Sequence, residues 1–133
     1  MLDTSRYTAV RTLPEYTHEA AVTAVTEALQ SEGFGVLWAM DLQKIFGAKL
    51  GIAYRPYKVL GACNPPLAHR ALLIDGNMGL NLPCNAVITE DDLGTVQVGV
   101  VDPRPLEDMT GREDLRDLLA EVHLKLLAAL EKL

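Results

Sequence analysis

The chain has 133 residues, 49% of them apolar and 23% charged with both signs interspersed, the composition of one globular domain able to bury a core without disulfide staples. Its formal net charge of −6 excludes nucleic acid as the expected partner, because binding phosphates needs a basic surface. No stretch has the length of a membrane-spanning helix, and the opening Met1-Leu2-Asp3-Thr4-Ser5-Arg6 lacks the basic-then-apolar order of a secretory signal. A cytoplasmic location without membrane contact is therefore expected, with both cysteines reduced.

Arg6 to Leu13 is rich in Tyr, Thr and Val and predicts a first strand, ended by Pro14. Thr17 is the expected N-cap of a helix with Glu19 in its first turn, an apolar face of Ala21, Val22, Val25 and Leu29, and Gly33 as its stop. Gly35 to Met40 predicts a second strand with both faces partly covered, after which Asp41 caps a short helix through Phe46, broken near Gly47 and Gly51. Pro56 leads into a third strand, Tyr57 to Cys63. Asn64 as cap and Pro65 at the first helical position then predict a helix over Leu67 to Ile74, since proline's missing N–H is harmless there. Asp75-Gly76-Asn77 is turn chemistry. Cys84 to Thr89 and Thr95 to Val101 predict two strands joined by the loop Glu90-Asp91-Asp92-Leu93-Gly94, and Asp102-Pro103-Arg104-Pro105 closes that run.

Thr110 with Glu113 three residues on carries the signature of a capping box for the last helix. Its apolar stripe runs through Leu115, Leu118, Leu119, Val122, Leu126, Ala129, Leu130 and Leu133, widened by Leu124 and Leu127, and reads as core-facing. No repeat, low-complexity segment or linker interrupts residues 1–133, so a single domain is expected. The fold class is α+β, a mostly antiparallel sheet with helices packed on one face.

Two Cys-Asn pairs, Cys63-Asn64 and Cys84-Asn85, contain every thiol of the chain, and each sits where a strand meets a turn. Antiparallel pairing of the third and fourth strands would bring the two thiols together. Cys63, Asn64, Cys84 and Asn85 are therefore the candidate ligand-binding residues, with no catalytic role assigned to any of them. Just outside a helix N-terminus, Cys63 feels a field that favours a thiolate. Against this, free cysteine commonly packs as a small hydrophobe, and asparagines at such places commonly serve as caps and turn residues.

No Cys-x-x-Cys and no His pair are present, so no metal site is expected. His69 follows Cys63 on the same predicted helix and could turn toward it, whereas His18 and His123 read as structural. Lys49, Arg55 and Lys58 form a local positive cluster that reads as a solvated face. Glu90-Asp91-Asp92 lacks the spaced ligands of a calcium loop. With no phosphate loop, dinucleotide fingerprint, nucleophile elbow or metalloprotease motif, no cofactor is expected.

The run Lys49-Leu50-Gly51 followed by Arg55-Pro56-Tyr57-Lys58-Val59-Leu60-Gly61-Ala62-Cys63-Asn64-Pro65-Pro66-Leu67-Ala68, and then Gly79-Leu80-Asn81-Leu82-Pro83-Cys84-Asn85-Ala86-Val87, resembles the two signature motifs of the domain-of-unknown-function family 302 of bacteria and archaea. The resemblance implies a small fold similar to the TATA-binding-protein-like class, β-α-β(4)-α in outline with short extra helices. Asn81 departs from the more usual apolar residue, which touches local packing only. The family brings no established activity. Three readings follow: a small-molecule binding domain with its pocket at the Cys-Asn motifs, a thiol redox or sulfur-handling protein using Cys63, and a homodimeric interaction module using a sheet edge or the Leu124/Leu127 flank.

Overall fold

The computed structural model describes all residues, 1–133. Its strands are β1 (Thr8–Leu13), β2 (Gly35–Asp41), β3 (Tyr57–Cys63), β4 (Cys84–Glu90) and β5 (Val96–Val101). They form one sheet in the order β1-β5-β4-β3-β2, antiparallel at every step. The helices are α1 (His18–Ser31), α2 (Leu42–Leu50), α3 (Pro65–Ile74), α4 (Leu106–Thr110) and α5 (Arg116–Glu131), with 3-10 turns over Gly76–Asn81 and Glu113–Leu115.

Strand alternation divides the sheet into two unlike faces. Leu60 and Ala62 of β3, Ala86 and Ile88 of β4, and Val96, Val98 and Val100 of β5 are buried under helices. α1 brings Ala21, Val25 and Leu29 to this core, α3 brings Leu67 and Ala71, and α5 brings the whole predicted stripe from Leu118 to Leu130. On the opposite face the chain's own start supplies part of the cover. The Leu2 amide donates to Gln97 Oε1 at 3.2 Å, and Gln97 Nε2 donates back to the Leu2 carbonyl at 3.3 Å. Farther along that face, the ring of Trp38 lies flat enough on Gly61 that any side chain there would collide with it.

Local signals set most boundaries. The Thr17 hydroxyl accepts from the Ala20 amide at 3.1 Å, the Asp41 carboxylate from Lys44 at 3.1 Å, and the Asn64 amide oxygen from Leu67 at 3.4 Å. Arg11 donates to the carbonyls of Leu130 and Glu131 at 3.0 and 2.9 Å, putting a cation on the negative end of α5.

Three expectations are corrected. The helix capped by Asp41 continues through Gly47 to Leu50 and stops at Gly51, whose φ of +65° glycine adopts without strain. β2 is covered less than expected: it is an edge strand without one buried residue, its cover limited to Val36 against the core and the Trp38 ring on Gly61. The Thr110–Glu113 capping box does not form either. Thr110 ends the separate helix α4, and its hydroxyl donates backward to the Leu106 carbonyl at 2.6 Å. Gly111 then reverses the chain, and α5 begins at Arg116 with no side-chain cap. The hydroxyl found a nearer acceptor in the preceding turn, a competition open to every Ser and Thr.

Candidate functional site

Antiparallel order puts the end of β3, the start of β4 and the end of β5 at one end of the sheet. Cys63, Cys84 and Val101 therefore converge, and the segments leaving these strands enclose a cavity of about 270 Å³. α3 contributes Leu67 and Ala71 to its wall, the 3-10 turn Met78 and Leu80, and α5 Leu118, Leu119 and Val122. The lining is mostly apolar, and all four residues of the two Cys-Asn motifs belong to it.

Their roles differ. Cys84 faces the helices across from Ala62 and packs against the core. Burial pushes its thiol up to about 11, with the negative charge available at Cys63 as a second cause, so Cys84 is a neutral thiol at physiological pH. Both cysteines are free and partly buried. Asn64 spends its amide on structure: besides capping α3, its Nδ2 donates to the Glu32 carbonyl at 3.3 Å, joining the end of α1 to the start of α3. Gly33 makes this clamp feasible, because its φ is +85° and a Cβ there would sit 3.0 Å from Asn64 Nδ2. Asn85 is exposed, and its side chain has no hydrogen-bond partner in the protein. It stands between the cavity and a groove of about 420 Å³ on the opposite sheet face, where Met1, Leu2, Val87 and Gly99 are its neighbours.

Other residues singled out in the sequence lie elsewhere. His69 is exposed on α3. His18 Nε2 is 2.9 Å from the Ile88 carbonyl, which can only accept, so that nitrogen carries the proton. Arg55 is spent on Asp92 at 2.7 Å and the Glu90 carbonyl at 3.1 Å, which takes it out of the positive cluster with Lys49 and Lys58. Asp91 accepts from Leu93 and Thr95, both at 2.9 Å, and so shapes the hairpin loop. No group of three or more His, Cys, Asp or Glu is arranged to hold a metal ion, and no helix is long and apolar enough to cross a membrane.

Sequence reasoning missed the apolar wall supplied by Met78 and Leu80, which follow the predicted turn Asp75-Gly76-Asn77 and belong to no predicted element, Leu80 entering only through the second family motif. It also missed Asp102, whose side chain is 7% exposed behind the cavity wall. Its carboxylate accepts from Arg104 Nη2 at 2.7 Å and lies 3.4 Å from His123 Nδ1. Burial raises the Asp102 pKa, the Arg104 hydrogen bonds and the charge of His123 lower it, and the net direction is down. An acid and a base two apart, alternating with Pro103 and Pro105, was the available signal.

Comparison with known proteins agrees with this architecture. No curated protein matches the chain. Among solved structures, an uncharacterized conserved protein DUF302 from Bacillus stearothermophilus is similar, with a TM-score of 0.87 at 28% identity over 96% of this chain and 98% of that one. The domain of unknown function DUF302 matches residues 10–133, from within β1 to the last residue. The chain belongs to the DUF302 family.

Proposed function

We propose that this protein binds a small, largely apolar molecule with a hydrogen-bonding end in the cavity at the Cys-Asn motifs. The observation that carries this reading is the convergence of both motifs on one apolar space of about 270 Å³. At about 24 cal/mol per Å³, the value for a closed dry cavity, the packing such a space offers a ligand has a ceiling of about 6.5 kcal/mol, which its open mouth lowers. That is comparable to the whole stability of a small domain, so a ligand that fills it has much to gain. The lining suits an alkyl chain or a single ring, and the Asn85 amide at the rim suits a carbonyl or hydroxyl.

A neutral, packed Cys84 supports a wall role over a redox one. Two free thiols beside one cavity suit a reducing, cytoplasmic setting. The test is a methyl-resolved NMR titration with hexanoate and with toluene, in the wild type and in Ala71→Leu, which fills the cavity from α3. Shifts centred on Met78, Leu119 and Val122 that vanish in Ala71→Leu are expected. Absence of any shift at millimolar probe, or shifts unaffected by Ala71→Leu, overturns the reading.

A further inference from the structure

Residues 35–55 form an arm in which nothing is buried, although the sequence there is that of a core. The arm consists of the edge strand β2, helix α2 and the return loop to β3. It is held together internally: Phe46 and Tyr54 meet edge to face with centroids 5.0 Å apart, and Gln43 Nε2 donates to the Tyr54 carbonyl at 2.9 Å. Its main contact with the rest of the protein is through β3. Leu37 is 65% exposed, Leu50 63%, Ile52 48%, Trp38 41%, Tyr54 40% and Met40 37%.

We infer that this arm is the interface of a homodimer, packed on the same arm of a second copy of the chain about a twofold axis. The area fits. At about 150–250 Å² for a fully exposed large side chain, the six residues present roughly 550 Å² of apolar surface. A standard interface takes about 800 Å² from each partner and is about 65% apolar in homodimers, hence roughly 520 Å². Single-residue exposure needs no explanation, but six large apolar side chains on one unit without a core of its own do.

The backbone argues for a like partner. The outer side of β2 has no neighbour in the sheet, and two such edges pair antiparallel about a twofold. Charge opposes this choice only weakly: the arm carries Asp41, Lys44, Lys49 and Arg55, Arg55 is paired with Asp92, and all the other acids that give the chain its net charge of −6 lie outside the arm. Trp, Tyr and Met are also the residues enriched at interface centres.

Sedimentation equilibrium tests the inference on the wild type, on the double variant Leu37→Glu/Ile52→Glu, and on Leu124→Glu as a control on the distant α5, where Leu124 is 66% exposed. The wild type should weigh twice the 14.5 kDa chain. The double variant should dissociate about a hundred-fold more readily, as expected for lost central contacts, while keeping its far-ultraviolet circular dichroism. Leu124→Glu should remain a dimer. A wild type that stays monomeric at high micromolar concentration overturns the inference and leaves the arm to a different protein. A folded double variant that stays dimeric, or a monomeric control, overturns it equally. Should the double variant fail to fold, hydrogen exchange of the wild type decides. Amides of β2 and α2 must gain protection as concentration rises, and concentration-independent exchange refutes the dimer.

Discussion

Replacing Asp102 by Asn should destabilise the protein by about 2 kcal/mol near neutral pH, and the loss should disappear in acid. The carboxylate is 7% exposed and fully engaged: Oδ1 accepts from the Arg104 amide and Nε, each at 3.0 Å, and Oδ2 accepts from Nη2 at 2.7 Å. Asn keeps one acceptor oxygen and turns an NH2 group toward these donors. Hydrogen bonds to a charged group contribute about 1.5–3 kcal/mol, and the low part of that range applies because Arg104 is 57% exposed and partly screened by water. The pKa of Asp102 is lowered on folding, so its charge stabilises the native state above the unfolded carboxyl value of about 3.9. That stability is lost as pH falls through the still lower folded value. Urea titrations of wild type and Asp102→Asn should differ in midpoint at unchanged slope, with a constant gap above about pH 5 that closes below about pH 4. A gap under about 0.5 kcal/mol at neutral pH, the range of ordinary surface substitutions, would refute this account. So would a gap that persists unchanged into strong acid.

Two further outcomes follow from the geometry. A Cβ at Gly61 would lie 2.7 Å from Trp38 Nε1, so Gly61→Ala must drive off the ring and cost about 1–2 kcal/mol. Trp38 is the only tryptophan, and its emission should shift to the red; an unchanged spectrum contradicts the packing. In a Cys63→Ser background, which removes the smaller contribution of the Cys63 charge, burial should still hold the Cys84 thiol above its ordinary value, so that its alkylation by iodoacetamide stays slow through mildly alkaline pH. A titration midpoint at or below the roughly 8.5 of a free thiol would revive a reactive role for Cys84.

How much of this was legible in the sequence depended on the range of the interaction concerned. Thr17, Asp41 and Asn64 cap their helices as read, because each cap joins a side chain to an amide three residues away. Thr110 carried an equally local signal and failed, since its own hydroxyl had a competing acceptor at Leu106. The strand-to-turn setting of the Cys-Asn pairs pointed to the cavity through the antiparallel pairing it implied. The split in their roles was hidden, because Asn64 is occupied by Glu32, which is remote in sequence. Asp102 was passed over as a turn residue, and neither periodicity nor composition flags a lone acid that folding will bury.

By itself, the sequence determined the five strands, the order in which they alternate with α1, α2, α3 and α5, and the core-facing stripes of α1 and α5, since periods of two and of about 3.6 residues follow from backbone geometry alone. Tertiary structure alone decided that β2 lies at the edge, that the arm from 35 to 55 leaves much of its apolar surface exposed, and that the two thiols border a cavity. Apolarity states that a side chain should leave water, and it is silent on which surface will cover it. That choice depends on sheet order and on the space left between packed elements, which no local run of residues encodes.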